Sequence, residues 1–461
     1  MKTFLSNWWE KLRGSYWLVP SLLALGAVAL SALTLHIDTE INPKWARGSA
    51  WVWGGGAEGA RSVLATIASS TITVAGVVFS ITIVTLTLTS SQFGPRLLRN
   101  FMNDHGTQLV LGVFVATFLY CLLVLRAIRG TDEVTVVPFL SVTCGVVLAV
   151  ASVGFLIYFI HHISTSIIAE NVVARVADDL RANIDRLYPE GETGAPTASD
   201  EQRVPPEFAR GEAEPIVSDK SGFIQAVALE NVLELARESS VVVRLLRRPG
   251  EFVAEGALLA DAVPRESVSS ELKEALLAQV FFGHDRTPTQ DIEYSIDQLV
   301  EVAVRALSPG VNDPFTAITC IEWLGASLIQ IARRRIPLPW RSDADGALRV
   351  ITSATDFAGI AGSALNQVRQ YGASSVAVTV RLLNVLTRIG PHVIRANDRS
   401  VLLGHARVVY EDGVAAAANP RDQRDIEVAF RLAGSALSLP ASGAAADPGG
   451  SGDHHDAASN A

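Results

Sequence analysis

Charged and amide side chains cluster at the two ends of one predicted helix. The stretch 290–317 reads QDIEYSIDQLVEVAVRALSPGVNDPFTA. Its apolar residues recur at helical spacing from Ile292 to Leu307, and the turn SPGVN follows. Guanidinium, carboxylate and amide groups that meet near one helix hairpin can bind an anion or a cation. The candidate residues for such a polar cluster are His284, Arg286, Asp291, Glu293, Asn312 and Asp313.

The same residues also have a purely structural interpretation, as a capped helix hairpin. Asp313 is predicted to be the N-cap of the next helix, and Pro314 its first residue. Every polar residue of the turn then has a capping or turn role, so both interpretations stay open. The spacing specifies no metal, and we predict no metal site.

The sequence contains no recognisable catalytic or cofactor motif. Walker A, H-E-x-x-H, G-x-S-x-G and C-x-x-C patterns are all absent. Gly54, Gly56 and Gly59 satisfy G-x-G-x-x-G, but no predicted strand precedes them, as a dinucleotide site requires. Beyond position 44 the lysines are Lys220 and Lys273, and neither lies in the hairpin 241–263, where a swinging-arm carrier would need one. We therefore expect no enzymatic activity, no catalytic residue and no bound cofactor.

An uncharged apolar run at 62–95 carries many hydroxyl groups. At about 100° per residue, its small and hydroxylated residues fall on two opposed faces of a helix. We call these the Ser80 face and the Thr82 face. The Ser80 face comprises Ser69, Thr73, Gly76, Ser80, Thr87 and Ser91. The Thr82 face comprises Thr71, Ala75, Thr82, Thr85 and Thr89.

Two interpretations of these faces stay open. Small and hydroxylated residues allow close helix packing, so both faces can be packing surfaces. Alternatively, one face packs on neighbouring helices and the other lines a polar path, because uncharged polar walls suit a pore. The hydroxyl-bearing residues are therefore predicted to be pore-lining or helix-packing.

Four apolar runs determine the class of protein. Residues 14–35, 62–95, 106–125 and 134–160 of the 461-residue chain contain no Asp, Glu, Lys or Arg. A bilayer-spanning helix needs about 20 such residues, which excludes a wholly soluble protein. We predict spans at about 16–36, 62–92, 107–127 and 137–161, forming a four-helix transmembrane domain in 1–162. The first run exceeds the length of a secretory signal core, so we predict that it is retained.

The charge distribution predicts the topology. Residues 1–162 carry 10 Lys/Arg and 7 Asp/Glu, whereas residues 163–461 carry 28 and 40. An acidic soluble part argues against binding nucleic acid. Under the positive-inside rule, the basic residues before the first span and after the second and fourth place both termini in the cytoplasm. The predicted partners are the lipid bilayer of the cell inner membrane and further copies of the chain.

The remainder of the chain divides by composition. We predict a connecting helix at 163–187, a disordered insert at 188–215 and a small β-module at 216–264. A helical cytoplasmic domain is predicted at 265–438 and a disordered tail at 439–461. The fold class is thus an α-helical membrane protein with four transmembrane helices and a mainly helical cytoplasmic region containing a small β-module.

Several stretches resemble a known family. TIASSTITVAGVVFSITIVTLTLTSSQFGPRLLRNF (66–101), VLGVFVATFLYCLLVLR (110–126), LIYFIHHISTSI (156–167) and the stretch 290–317 are similar to a bacterial family of predicted integral-membrane proteins, catalogued only as a domain of unknown function. The resemblance runs across most of 15–435. It implies a cell-membrane protein with a cytoplasmic C-terminal region, and it implies no activity.

Two functional hypotheses follow from the sequence. The first is a homo-oligomeric, channel-like or channel-regulating protein whose second span lines a path for an unidentified ion or solute. The second is a membrane-anchored cytoplasmic sensor or scaffold without transport. The double hydroxyl face favours the first, and the large soluble region of 163–461 favours the second.

Overall fold

The computed structural model describes residues 17–40, 56–97, 104–131, 134–188, 204–334, 336–353 and 355–438. The chain divides into two compact units, Met1–Arg175 (unit 1) and Val176–Ala461 (unit 2). Residues 189–203, within the predicted disordered insert, and the predicted tail 439–461 lie outside the described residues.

Long apolar helices build unit 1. In its described residues they are α1 (Leu18–Glu40), α2 (Ala57–Phe93), α3 (His105–Ala127) and α4 (Phe139–Ser166). A short antiparallel hairpin, β1 (Arg129–Thr131) with β2 (Val134–Val136), lies between α3 and α4 in the chain. The ends of the four helices lie within five residues of the predicted span limits.

Two aspartates satisfy backbone groups at helix starts in unit 1. The carboxylate of Asp38, near the end of α1, accepts hydrogen bonds from the backbone N–H groups of Leu140 and Ser141 at the start of α4, each at 2.9 Å. Asp104 is the N-cap of α3 and accepts from the N–H of Gly106 at 3.2 Å. A carboxylate is favourable there because the first N–H groups of a helix lack partners and carry partial positive charge.

The core of unit 1 is packed around α3. Tyr120 is fully buried, and its hydroxyl donates to the backbone carbonyl of Ser141 at 3.0 Å and lies 3.0 Å from the Thr34 hydroxyl. A buried hydroxyl needs such partners, because burying one without them costs about 1–3 kcal/mol. A Cβ on Gly145 would lie 2.9 Å from Leu64, so this glycine permits close approach of α2 and α4.

Unit 2 contains strands and helices in alternation. Its described strands are β3 (Glu214–Val217), β4 (Gly222–Val227), β5 (Val242–Leu245), β6 (Phe252–Val253), β7 (Leu258–Val263), β8 (Val280–Gly283), β9 (Trp340–Ser342) and β10 (Leu348–Ile351). Its described helices are the end of α5 (Ala169–Leu187), then α6 (Glu207–Arg210), α7 (Leu229–Glu238), α8 (Ser270–Leu277), α9 (Ile292–Ala306), α10 (Pro314–Ala332), α11 (Phe357–Gly372), α12 (Val376–Ile389), α13 (Ala396–Ala416) and α14 (Pro420–Ser438).

Two sheets organise these strands. One has the order β3-β7-β5-β10-β9 and the other β6-β4-β8. Strand β10 pairs in parallel with β5, with Val350 opposite Val243, and the remaining pairs are antiparallel. From the sequence, the strands of the soluble region were predicted in 216–264 only, but β8, β9 and β10 lie in the stretch 265–438, which was predicted to be helical. The pairing of β10 with β5 joins positions far apart in sequence, which no local pattern reveals.

A second difference concerns residues 204–215, which were predicted to belong to a disordered insert. They contain α6 and the start of β3. Phe208 is buried, and the guanidinium of Arg244 lies 4.4 Å from its ring centre. Composition rich in Pro, Gly and Glu suggested disorder, but one aromatic anchor with a stacked cation stabilises the segment.

Five helices in the described residues are long and apolar enough, by length and composition, to cross a membrane: α1, α2, α3, α4 and α10. Helix α10 differs from the other four because it carries a charged residue, Glu322, near its middle. The Glu322 carboxylate accepts hydrogen bonds from Arg381, at 2.7 Å, and from Arg388, both on α12. The apolar side of α10 is buried within unit 2, where a Cβ on Gly325 would lie 2.4 Å from Val385.

Candidate functional site

The Thr82 face of α2 is buried in the described chain. Its five members, together with Val78, have little exposed surface, and Ala75 and Val78 belong to an apolar cluster with residues of α3 and α4. The hydroxyl of Thr82 donates to its own helix, to the Val78 carbonyl at 2.8 Å. Such internal bonds let hydroxyls face an apolar neighbour. This face is therefore a packing surface.

The Ser80 face of α2 is exposed along its whole length in the single chain. The hydroxyl of Thr73 donates to the Ser69 carbonyl at 2.8 Å, and that of Thr87 to the Ile83 carbonyl at 2.9 Å. Apart from the nearby backbone of α2 itself, no atom of the described residues lies within 4 Å of the position that a Cβ on Gly76 would take. The hydroxyl oxygens can still accept a hydrogen bond from water or a neighbour, because a hydroxyl has two lone pairs.

Large apolar side chains border the Ser80 face on both sides. Those on the flanks of α2 include Ile72, Phe79, Ile81 and Leu88, which are 40–46% exposed. Lipid accepts such side chains readily, whereas hydroxyls gain nothing from it. Helix α2 thus has a packed face, two apolar flanks and one exposed hydroxyl face.

Arg286 is the centre of an ion-pair cluster in unit 2. Its guanidinium lies 2.8 Å from the Asp291 carboxylate and 2.7 Å from the Asp297 carboxylate. Asp291 is also the N-cap of α9 and accepts from the Tyr294 N–H at 3.1 Å. Gly250 closes the cluster: a Cβ there would lie 2.1 Å from Asp291, and its φ of +95° is in a region that favours glycine.

Glu293 lies beside this cluster but pairs with a different arginine. The Arg248 guanidinium donates to its carboxylate at 3.0 Å and also to the Thr355 hydroxyl. Burial raises the pKa of Glu293; Arg248 opposes the rise, and Asp291 adds to it. Burial also raises the pKa of Tyr188 to about 12, with Glu293 contributing. Burial and the two neighbouring arginines thus act in opposite directions on the pKa of this carboxyl group, and the effect of burial is the larger.

Asn312 and Asp313 do not join the cluster formed by Arg286, Asp291 and Glu293. They follow the C-terminal end of α9, whereas Asp291 begins it, and a helix of 15 residues is about 22 Å long. Asp313 instead caps α10, as the structural interpretation predicted, accepting from the N–H groups of Phe315 and Thr316 at 3.1 Å each. Asn312 has a φ of +50°, which suits the turn. The expectation that all these residues meet near one hairpin is wrong, because the helix separates them.

Several ion-pair and hydrogen-bond partners of the candidate residues and of the helix ends were not predicted from the sequence. Arg248 stands in the turn LRRPGE, and no spacing rule connects it to Glu293, 45 positions later. In unit 1, His162 lies 2.7 Å from the Asp104 carboxylate and stacks on Tyr158. A histidine at the end of one apolar run and an aspartate at the start of another were the only sequence signals. Within the described ranges, no group of three His, Cys, Asp or Glu residues is arranged to hold a metal ion.

The profile of the family described as "Predicted membrane protein (DUF2254)" matches residues 13–388. The chain belongs to this family. The matched range includes both faces of α2 and the Arg286 cluster. Family membership and the apolar helices together make the chain a membrane protein that is mostly helical and has a small sheet region.

Relatives of this family member occur in mycobacteria. "Uncharacterized protein Rv1290c" of Mycobacterium tuberculosis (strain ATCC 25618 / H37Rv) is 32% identical over 400 residues, covering 85% of this chain and 74% of the relative. "Uncharacterized protein Mb1321c" of Mycobacterium bovis (strain ATCC BAA-935 / AF2122/97) has the same identity and coverage. No solved structure matches the chain significantly.

Proposed function

We propose that the chain assembles with further copies in the inner membrane, and that the Ser80 face of α2 lines a polar path between them. The observation that carries this proposal is the division of α2 into a buried and an exposed hydroxyl face. One hydroxyl face is accounted for by packing within the chain. The other is exposed in the described part of the chain, and its hydroxyl groups are poorly suited to lipid.

The proposal includes four spans, α1 to α4, with both termini in the cytoplasm. Helix α10 is assigned to the core of unit 2, because its central Glu322 pairs with two arginines of α12. Placing a carboxylate at the centre of a spanning helix costs about 3 kcal/mol on insertion scales, and separating it from its arginines adds to that cost. The positive-inside argument from the sequence supports the orientation.

More than one copy is required for geometric reasons. Helix α3 occupies the centre of the unit 1 bundle, with Tyr120 and Cys121 fully buried, so the described part of that bundle has side chains at its centre instead of a channel. A path along the Ser80 face must therefore be closed by neighbouring copies around an axis. No catalytic step is part of this proposal.

The test is reconstitution of the purified full-length protein. We expect the protein to run as an oligomer by native mass spectrometry and to conduct ions in planar bilayers. Replacing Ser80 by Phe should reduce conductance strongly, whereas Ile81→Phe, one position along on the apolar flank, should leave it nearly unchanged. A monomer, or an oligomer that conducts nothing at any voltage, pH or membrane tension applied, would contradict the proposal.

A second function, a membrane-anchored sensor or scaffold, is favoured by a different observation. Unit 2 is large, has its own apolar core and two sheets, and contains a cavity with arginines in its wall. Anchoring alone does not need such a structure. A structure of the assembled protein in which the Ser80 face is packed and dry would support this function over conduction.

A further inference from the structure

A cavity of about 430 Å³ opens at the surface of unit 2. The end of α5, strands β4 and β5, the turn after β5 and the segments on either side of the β9–β10 hairpin surround it. Its volume lies within the range of about 300–1,000 Å³ that small-molecule sites occupy.

Among the described residues, three guanidinium groups line this cavity, on Arg186, Arg247 and Arg248, and the carboxylate of Glu230 also lies in its wall. Arginine is suited to phosphate because its planar fork donates two parallel hydrogen bonds and keeps its charge. Arg248 is already paired with Glu293 at 3.0 Å and with Glu251 at 3.4 Å, so the guanidinium groups available to a ligand are those of Arg186 and of the loosely held Arg247. These two guanidinium groups give the cavity a place where an anionic group can bind.

The arginines are held in place by different partners. Arg186 donates to the backbone carbonyls of Pro288 and Thr289 and, at 2.7 Å, to the Asn183 side chain. All of these acceptors are neutral, so they orient the guanidinium without cancelling its charge.

Arg248 is fixed by Glu293 and Thr355. Arg247 is the most loosely held of the three. Its contacts are long, 3.5 Å to the Glu251 carboxylate and 3.4 Å to the Leu258 carbonyl, and its side chain is 46% exposed. An incoming anion can therefore recruit it with little loss of existing bonds.

The rest of the wall is apolar with a few hydroxyls. The apolar part includes Val227, Leu245, Ile292, Ile336 and Pro337, and Thr352, Ser353 and Thr355 supply hydroxyl groups. Sites that are mostly apolar with a small number of placed polar groups bind ligands that have both an apolar body and a polar head. An inorganic ion alone would leave the apolar wall unused.

We propose that this cavity binds a small molecule carrying a phosphate monoester on an apolar or aromatic body. The arginines would hold the phosphate, and the apolar wall would cover the body. The phosphate could belong to a soluble compound or to a lipid headgroup such as phosphatidic acid. The proposal concerns unit 2 alone and does not depend on conduction along α2.

Binding to the full-length protein in detergent tests the proposal. The probes are adenosine monophosphate, inorganic phosphate, and mixed micelles containing phosphatidic acid or phosphatidylcholine. We expect saturable binding of adenosine monophosphate or of phosphatidic acid by calorimetry, tighter than that of inorganic phosphate. Binding of adenosine monophosphate but not of phosphatidic acid would identify a soluble ligand. Binding of phosphatidic acid but not of adenosine monophosphate would identify a lipid ligand. Either outcome supports the site.

The matched variants are Arg247→Gln and Arg210→Gln. Both remove one exposed arginine from unit 2, but Arg210 is not in the cavity wall and its side chain is 64% exposed. Arg247→Gln should weaken binding roughly tenfold, the effect of losing one charge-assisted contact, and Arg210→Gln should not. The proposal would be overturned if both variants lost affinity equally, if inorganic phosphate bound as tightly as the larger probes, or if no probe bound. Thermal unfolding of each variant checks that it remains folded.

Discussion

Replacing Arg286 by Leu tests how far the ion-pair cluster stabilises unit 2. The guanidinium is 20% exposed and bridges Asp291 and Asp297, which are 5% and 18% exposed. Removing one partner of a buried pair costs about 3–5 kcal/mol, because a desolvated carboxylate loses its counter-charge. Asp291 keeps its bond from the Tyr294 N–H, so we expect the lower end, about 3 kcal/mol.

Calorimetry of the purified full-length protein measures this loss. For a unit of this size, about 3 kcal/mol corresponds to a fall of roughly 6 °C or more in the transition of unit 2. The partner variant is Asp291→Asn, because asparagine can still cap α9. If the pair interacts directly, the double variant should be more stable than the sum of the two single losses predicts, by about 2 kcal/mol. A loss below about 1 kcal/mol for Arg286→Leu, or strictly additive losses, would refute this reasoning.

Three further predictions concern single positions. Because burial raises the pKa of Glu293, the folded state holds the proton of this carboxyl group more tightly than the unfolded state does. The group therefore destabilises the fold as the pH rises from its unfolded pKa of about 4.3 through its folded pKa. Glu293→Gln should flatten the decline of the unfolding temperature in that pH window, and an unchanged slope would contradict this prediction. Asp313→Ala removes the N-cap of α10 and should lower the free energy of unfolding, measured in denaturant, by about 0.5–2 kcal/mol. Serine is also a good N-cap, so Asp313→Ser should retain most of the stability that Asp313→Ala loses. Gly145→Val should destabilise unit 1, because even a Cβ at this position would lie 2.9 Å from Leu64. Gly76→Val should leave the melting temperature of isolated chains nearly unchanged. A similar fall in melting temperature in both variants would mean that the Ser80 face is packed within the chain.

Local periodicity was enough to group the hydroxyl-bearing residues of α2 by helix face, but not to predict which face is packed. Helix geometry fixes the angle between successive side chains, so the hydroxyls that share a face could be grouped from sequence alone. The structure buries the Thr82 face and exposes the Ser80 face. Within the predicted β-module, the stretch 241–263 contains β5, β6 and β7, with Gly250 and Gly256 at positive φ in the turns between them.

Contacts between distant parts of the chain could not be predicted. The pairing of β10 with β5 and the bond from Arg248 to Glu293 join segments with no shared local pattern. The cavity in unit 2 depends on the same kind of contact, since α5, β5 and the segment around Thr355 meet there. The sequence placed Asp291 and Glu293 at the start of the predicted helix and Asn312 and Asp313 beyond its end, and the length of that helix, about 22 Å, keeps the two groups apart.

Cysteine accessibility along α2 tests the central claim, that the Ser80 face is wet in the assembled membrane protein. Consecutive positions provide depth-matched sets, because each step along a helix rises only about 1.5 Å but turns about 100°. Three such sets place one residue on the Ser80 face, one on an apolar flank and one on the Thr82 face. The Ser80-face members are Thr73, Ser80 and Thr87, the flank members are Ile72, Ile81 and Leu88, and the Thr82-face members are Thr71, Thr82 and Thr89.

The measurement uses single cysteines in a background lacking Cys121, Cys144 and Cys320, treated in membranes with a charged, membrane-impermeant thiol reagent. Thiols react as thiolates, which form in water and not in lipid or a dry interface. The account predicts modification at positions 73, 80 and 87 and little at the other six. Equal protection of all nine positions, or reaction at the flank positions instead, would contradict a wet path along α2.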